Sequence, residues 1–597
     1  MMRLRKSIIA VFIAAAALLL CAQSRAELLV MADISGEDDS LDSAIQDNIR
    51  AHLSADNLPC STSERSLLRA LRKSGDEISR AMRALGYYHS SWKISHKKDS
   101  RLEEGISKKL INKRQDCWKV RVVVTPGEPV RMTQVDVKVL GEASTDPVFQ
   151  DYLNELPAKV GQQLNHAAYE DIKKGLNQRA RNFGYFEAKL DTHTLEIDTD
   201  TNQANISISF DSGPRYHFGA VTFSASPLGE PLLERFLPFQ IGEAFNNNKL
   251  IEFQSKLVSS GYFDSVSVDQ QTSESDAKTV PIAVTTTPKT RYETTAGIGA
   301  STDTGPRLSY GLRNRRVNPD GDTYQVSSQL SPVQSNLGFQ YSQPRANPLT
   351  EKLQWSTGIE TEDTDTVDST SFQAKVALID ETSSNWLQTT SLKFLREDYE
   401  VSDVDRSSIL LIPEIAWTKS QSNNPRYPTK GWRITAAVRG AVKEVVSDIS
   451  MAQVETDAKL ILPLWGGRLI SRAGFGATAL DEFDELPASL RFFAGGDNSV
   501  RGFGYKDLGP EDDEGEVIGG QHRITASMEY DHKVWRDFAL ATFYDVGNAF
   551  DSEDFTLYHS AGIGIRWFSP IGPIRIDLAF PLKDGSYRIH LSMGPDL

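Results

Sequence analysis

Cysteine is scarce, with three in 597 residues, which excludes a small scaffold built from disulfides. Basic charge is also short: 65 Lys and Arg stand against 80 Asp and Glu, for a formal net charge of −15. A general nucleic-acid binder presents a basic face, so no nucleic-acid partner is expected. No run of about eighteen apolar residues occurs, which excludes a bundle of membrane-crossing helices. A β-barrel is not excluded, because its strands run about ten residues and alternate apolar with polar. Nucleophile elbow, phosphate-binding loop and metal-spaced His/Cys sets are missing too, so neither an enzyme nor a cofactor or metal site is expected. What is present, 39% hydrophobic and 24% charged residues, fits a folded chain too long for one ordinary domain.

The N-terminus reads as an export signal. Arg3, Arg5 and Lys6 precede a 13-residue apolar run over 8–20, too short to span a bilayer and suited to a signal peptide's apolar region. Ser24, Arg25 and Ala26 give a small-x-small cleavage site, so residues 1–26 are expected to be removed. Taking four positive charges from −15 leaves −19. A lipoprotein anchored at Cys21 is the rival, disfavoured by the bulky Leu20 before it. The two remaining cysteines, Cys60 and Cys117, meet an oxidising compartment. A disulfide between them is expected, with two unpaired thiols as the alternative.

From about 27 to 289 helical and strand periods mix, and one phrase recurs. Residues 81–88 read A-M-R-A-L-G-Y-Y, 178–186 read Q-R-A-R-N-F-G-Y-F, and 257–263 read L-V-S-S-G-Y-F. Each follows a helical pattern and precedes an alternating run. Glycine stops the helix and the aromatics cover the next strand. The phrase V-G-Q-Q-L-N over 160–165 resembles I-G-E-A-F-N over 241–246, with Asn a fair N-cap for the helix that follows. Strands ending in Pro/Gly turns near 126 and 213 close the units. The pattern gives three β-α-α-β-β repeats, 27–125, 126–213 and 214–289; the first has an insertion around 97–116.

After about 290 helical periods vanish and short alternating runs continue to the end. Ile524, Ala526 and Met528 alternate with Arg523, Thr525, Ser527 and Glu529. Ile574, Ile576 and Leu578 alternate with Arg575 and Asp577, and Tyr587, Ile589, Leu591 and Met593 with Arg588, His590 and Ser592. One face suits lipid and the other is charged. A soluble sandwich would need both inner faces apolar, so 290–597 reads as an antiparallel transmembrane β-barrel. Its length suits about sixteen strands, and length alone leaves fourteen or eighteen open.

The densest motif runs from Arg491-Phe492-Phe493-Ala494-Gly495-Gly496 to Val500-Arg501-Gly502-Phe503, ahead of an acidic stretch over 511–516. Glycines permit tight turns, and arginine carries a planar head with five donors for carboxylates. Such a loop suits folding back into a lumen. Candidate partners on the inner wall are Glu529 and the face shared by Phe543, Asp545 and Gly547, with the lumen expected to be partly wet. An ordinary loop arginine above a wet, acid-lined pore is the plainer alternative.

These residues resemble a known family. The Val500-Arg501-Gly502-Phe503 tetrad is similar to the sixth-loop signature of the BamA-type superfamily of outer-membrane assembly factors and two-partner secretion transporters. Phe543-Tyr544-Asp545-Val546-Gly547 and the 569–575 stretch resemble its strand motifs, and the repeats resemble polypeptide-transport-associated (POTRA) domains. Three repeats, the overall length and the 593–597 terminus are most similar to the TamA group, outer-membrane subunits of the translocation and assembly module. The resemblance implies a sixteen-stranded barrel whose first strand, near 292–301, closes on its last, near 587–595. It also implies a short, weak lateral seam at Gly297, Gly299, Leu591, Met593 and Gly594, where glycine limits packing and ladder bonding. The implied role is insertion or secretion of unfolded outer-membrane and autotransporter clients through the opened seam. That role brings contact with outer-membrane lipid and a periplasm-spanning, TamB-like inner-membrane partner. The alternative is a two-partner-type transporter passing an exoprotein along the lumen. Either places the chain in a Gram-negative outer membrane with its repeats in the periplasm.

Overall fold

The computed structural model describes residues 29–594 apart from 39, 103–113, 273–277, 403, 425–426, 552–554, 570–571 and 584. The signal-peptide reading of 1–26, the Cys21 alternative, much of the 97–116 insertion and Pro595 lie outside the described residues. No helix among the described residues is long and apolar enough to cross a membrane.

Three β-α-α-β-β units come first. The first has β1 (Ala32–Ser35), α1 (Ser43–His52), α2 (Glu64–Ala84), β2 (Ser91–Leu102) and β3 (Arg114–Thr125). The second has β4 (Arg131–Leu140), α3 (Pro147–Asn154), α4 (His166–Asn182), β5 (Lys189–Asp198) and β6 (Gln203–Asp211). The third has β7 (His217–Phe223), α5 (Glu230–Glu234), α6 (Asn247–Ser259), β8 (Phe263–Gln270) and β9 (Thr279–Pro288). In each unit the last strand is central, with sheet orders β1-β3-β2, β4-β6-β5 and β7-β9-β8. Central strands alternate buried apolar residues with outward polar ones, as Ile206, Ile208 and Phe210 do in β6. Helix stripes cover them, Ile172 and Leu176 from α4 meeting that row and Phe149 from α3. Each such burial contributes about 1.5–3 kcal/mol. The two asparagines read as N-caps do cap: Asn165 accepts from the Ala167 N–H at 2.9 Å and Asn246 from the Asn248 N–H at 3.0 Å. Cys60 and Cys117 form a disulfide inside the first core, closing a separation of 57 residues.

The recurring Gly-aromatic phrase does more than stop helices. Gly86 and Gly184 both sit at φ +84°, and a β-carbon would lie 2.7 Å from the Leu164 carbonyl oxygen at Gly86 and 2.8 Å from Phe245 Cβ at Gly184. Both contacts belong to the following repeat. Gly86 O accepts the Val130 N–H at 2.9 Å and Gly184 O the Tyr216 N–H at 2.8 Å. The aromatics continue the joint: Tyr88 Oη lies 2.9 Å from His166 Nε2, and the Phe186 ring meets Phe245 edge-on at 5.1 Å. In the third copy Tyr262 donates its hydroxyl to the Gly321 carbonyl, 2.6 Å away in a turn of the barrel.

The barrel is a sheet of sixteen strands in sequence order, β10 to β25. Its first half comprises β10 (Tyr292–Ser301), β11 (Gly305–Asn314), β12 (Thr323–Leu330), β13 (Gln334–Pro344), β14 (Lys352–Asp363), β15 (Asp368–Glu381), β16 (Leu387–Val401) and β17 (Val404–Ser422). The second comprises β18 (Gly431–Ala441), β19 (Met451–Leu464), β20 (Gly467–Leu480), β21 (His522–Trp535), β22 (Phe538–Phe550), β23 (Tyr558–Ser569), β24 (Gly572–Pro581) and β25 (Arg588–Met593). Neighbours pair antiparallel in long ladders, such as Leu387↔Thr418 to Val401↔Val404 between β16 and β17. Outward residues form the exposed apolar belt that lipid requires, among them Ile298, Trp355, Met528, Ile563 and Trp567. Inward residues include buried Arg468, Glu529, Asp545, Arg566 and Asp577.

Candidate functional site

The long segment between β20 and β21 turns back into the barrel. Its entry is an apolar plug: Leu486 and Leu490 pack against Leu395, Leu410, Ile412 and Met451 of the wall. Arg491 then ties the segment to itself, donating to the Leu486, Ile518 and Asp484 carbonyls at 2.9, 3.0 and 3.1 Å. Two short antiparallel contacts, Phe492 with Gly520 and Ala494 with Leu508, shape it into a hairpin. Val500 is fully buried against Ala494 and Leu508, and Phe503 meets Tyr558 edge-on.

At the turn Arg501 reaches the wall. Its Nε donates to Asp545 Oδ2 at 2.7 Å and its Nη2 to Asp545 Oδ1 at 3.0 Å, the bidentate geometry a planar guanidinium permits. Nη1 donates to Glu529 Oε2 at 2.7 Å and to Asp577 Oδ2 at 3.1 Å. The guanidinium lies 3.4 Å from the centre of the Phe543 ring. A β-carbon at Gly562 would fall 2.3 Å from Phe543 Cζ, so glycine there makes room for the ring. The expected wet lumen does not hold at this point: Arg501 is 2% exposed and Asp545 0%. With both groups buried and the Phe543 ring against the guanidinium, the pair sits in low dielectric and depends on complete pairing.

Completion comes from residues that were not among the expected partners of Arg501. Arg566 donates to Glu529 Oε1 at 2.8 Å and to Asp577 Oδ1 at 2.6 Å. Arg472 donates to Ser527 Oγ at 3.2 Å, and Ser527 donates to Asp545 Oδ1 at 2.6 Å. Three carboxylates thus face three guanidinium groups. Asp577 already stood on the polar face of its alternating run, so inward parity together with charge was the signal for it. Gly547 belongs to the wall by geometry alone, since a β-carbon there would lie 2.6 Å from the Ile524 carbonyl oxygen.

The seam differs from the expectation. No ladder joins β10 and β25 among the described residues; β25 spans six residues, Arg588–Met593, and β10 spans ten. The edges meet at a turn residue beyond β10: the Thr302 N–H donates to Leu591 O at 3.0 Å, and the Leu591 N–H donates to Thr302 Oγ1 at 3.1 Å. Arg307 Nη2 adds a bond to Met593 O at 3.3 Å. Gly297 and Gly299 do not interrupt pairing. They lie in an unbroken ladder with β11, where β-carbons would fall 2.6 Å from Ser309 Oγ and 2.7 Å from Arg307 Nε. Gly594 turns away from β10, donating its N–H to Pro573 O at 3.2 Å.

A sixteen-stranded barrel with an apolar outer belt, an internal arginine-bearing loop and three small α+β units ahead of it defines an outer-membrane barrel with periplasmic domains. The Omp85 superfamily domain matches residues 266–596, more than half the chain, and the chain belongs to that superfamily. The first POTRA domain of TamA matches residues 33–126, and a POTRA family described as surface antigen variable number repeat matches 136–213. The outer membrane protein assembly factor BamA of Nitratidesulfovibrio vulgaris is 27% identical over 225 residues, 33% of this chain and 28% of that protein. BamA of Neisseria meningitidis serogroup B is 25% identical over 213 residues, 28% of this chain and 26% of that protein. The chain thus spans about a quarter of the length of these curated relatives. The crystal structure of Haemophilus ducreyi BamA lacking POTRA domains 1–3 superposes with a TM-score of 0.67 at 18% identity, covering 78% of this chain and 99% of that one, a likeness of fold. The protein resides in a Gram-negative outer membrane with its POTRA domains in the periplasm.

Proposed function

We propose that this protein inserts or secretes outer-membrane β-barrel and autotransporter clients by opening the barrel sideways between β10 and β25. The observation that carries this reading is the seam, where one backbone hydrogen bond and one from a backbone N–H to a side-chain hydroxyl, both between Thr302 and Leu591, stand in place of a ladder. Parting the edges exposes unpaired N–H and C=O groups to an incoming strand, which is β-augmentation inside a membrane. Free sheet edges in the periplasmic units, such as β5 in the second, offer clients the same pairing beforehand. The match of 33–126 to the first TamA POTRA domain supports a TamA-type role with a periplasm-spanning, TamB-like partner. Transport along the lumen is the rival route, and the plug of Leu486 and Leu490 stands in its way.

A disulfide across the seam tests this. Cysteines at Ala300 and Met593, each two residues along from the Thr302–Leu591 contact, are introduced after Cys60 and Cys117 are replaced by serine. Oxidation, verified on a gel, is expected to stop client assembly, and reduction to restore it. A locked barrel that still delivers clients at the wild-type rate overturns lateral opening in favour of the axial route.

A further inference from the structure

Asp303, Asp497 and His590 converge beside the Thr302–Leu591 hydrogen bonds between the barrel's two edges, and each comes from a different element. Asp303 lies in the hairpin after β10, Asp497 in the loop ahead of Arg501, and His590 on the inward face of β25. Their nearest ligand atoms all lie within 4.8 Å of one another. Asp497 Oδ1 accepts the Thr302 hydroxyl at 2.6 Å and lies 2.7 Å from His590 Nδ1. The Asp497 N–H donates to Asp303 Oδ2 at 2.8 Å. The Gly502 N–H, next to Arg501, donates to His590 Nε2 at 2.8 Å. An amide N–H on Nε2 requires a lone pair there, so the ring proton sits on Nδ1 and donates to Asp497. Both imidazole nitrogens are therefore engaged in a hydrogen-bond set, although the three groups stand close enough to share a cation.

The loop accordingly holds each edge by at least as many bonds as the edges exchange with each other, through Thr302 and Asp303 on one side and twice through His590 on the other. Thr302 accepts the Leu591 N–H and donates to Asp497 through the same hydroxyl, so the direct seam contact and the loop contact share one atom. Buried polar atoms in this set depend on remaining paired. His590 is 2% exposed and Asp497 7%, and Asp497 Oδ2 is buried without a hydrogen-bond partner. Two neighbouring carboxylates also repel one another, which opposes the hydrogen bonds that hold the set together.

We propose that Asp303, Asp497 and His590 form a clasp through which the lumen loop holds the lateral seam shut, making loop displacement the step that frees the two edges. The inference rests on the lateral-opening reading and adds a positioning role for three residues. The Arg501 cluster anchors the loop on one side, and the clasp converts that anchoring into seam closure on the other.

The test measures the seam without a client. Spin labels are placed at Ile298 and Ile589, both outward-facing and exposed, in the full chain reconstituted in lipid nanodiscs with the Cys60–Cys117 disulfide intact. Wild type is expected to give one short distance. His590→Ala removes a hydrogen bond to a carboxylate and Asp497→Asn takes the charge from that acceptor, and each is expected to raise the open fraction about tenfold. His590→Asn keeps an N–H donor near the Nδ1 position and should stay nearer to wild type, which a mere packing role for the ring would not produce. Retained heat-modifiable migration shows that each variant barrel is folded. A His590→Ala distribution that superimposes on wild type overturns the clasp. So does Zn²⁺ binding by wild type that closes the seam and is lost in Asp303→Asn, which would make the trio a metal site. A variant whose seam opens more often while client assembly proceeds with the seam locked leaves the clasp standing and counts against the lateral gate.

Discussion

At the scale of single residues, Arg501 is the group on which most depends. It satisfies parts of Asp545, Glu529 and Asp577 at once, and each is buried. Removing it leaves Arg566 to hold Glu529 and Asp577, and Asp545 keeps only Ser527 and Arg472 nearby. Breaking a buried pair in this way costs about 3–5 kcal/mol. Arg501→Ala is therefore expected to loosen the loop, lower the temperature at which the barrel loses its heat-modifiable migration, and impair client assembly. Arg501→Lys should rescue poorly, because a point charge cannot bind Asp545 through two donors and reach Glu529 and Asp577 with a third. A normal migration shift and normal assembly in Arg501→Ala would remove the loop anchor from the mechanism. The sequence made Arg501, Asp545 and Glu529 legible because arginine in a glycine-rich turn and acids on the inward parity of a strand are local patterns. Arg566 and Arg472 were not legible as partners, since pairing across strands depends on barrel register, which no single strand encodes.

At the scale of elements, the repeated Gly-aromatic phrase was legible as a helix stop but not as a joint. Its second use appears only when the next repeat is present to be touched. Gly184→Ala illustrates the difference. A β-carbon there meets Phe245 at 2.8 Å and the Tyr216 carbonyl oxygen at 2.9 Å, and a left-handed backbone angle adds strain. Faster amide exchange over 184–187 and 214–218, with the 166–182 helix unchanged, is expected; uniform loosening of the repeat would point to a helix stop alone. Glu142 adds a pH term to the same neighbourhood. The Arg215 N–H, and after it Lys278, hold its carboxyl below the ordinary value of 4.5. A depressed carboxyl pKa contributes stability that is present above the ordinary value and lost as pH falls through the folded one. Exchange at Arg215 should therefore accelerate below about pH 4.5 in wild type. Glu142→Gln should show the faster exchange already at neutral pH.

At the scale of the whole barrel, the question is whether the lumen is a path. Strand count alone would permit one, since sixteen-stranded porins hold an aqueous channel. Here apolar side chains of the loop close against the wall inside the lumen. Leu486 and Leu490 close against Leu395, Leu410 and Ile412, while Ala488 and Phe493 close against Val367, Tyr399 and Val401. An apolar constriction gates by excluding water, so ions meet a dry barrier even where the remaining lumen is charged. The protein reconstituted in a planar bilayer is therefore expected to carry little steady current. Leu486→Asn with Leu490→Asn hydrates the plug while leaving Arg501 and its carboxylates in place, so it should raise conductance severalfold without abolishing heat-modifiable migration. The outcome separates two uses of one fold. A barrel that moves cargo along its axis must clear this plug and would show large spontaneous openings in wild type. A barrel that moves cargo through its wall has every reason to keep the plug shut, because the lumen must hold its permeability barrier while the seam alone parts. Wild-type currents as large and steady as those of the double variant would mean that the plug is no barrier, and the axial route would regain its standing.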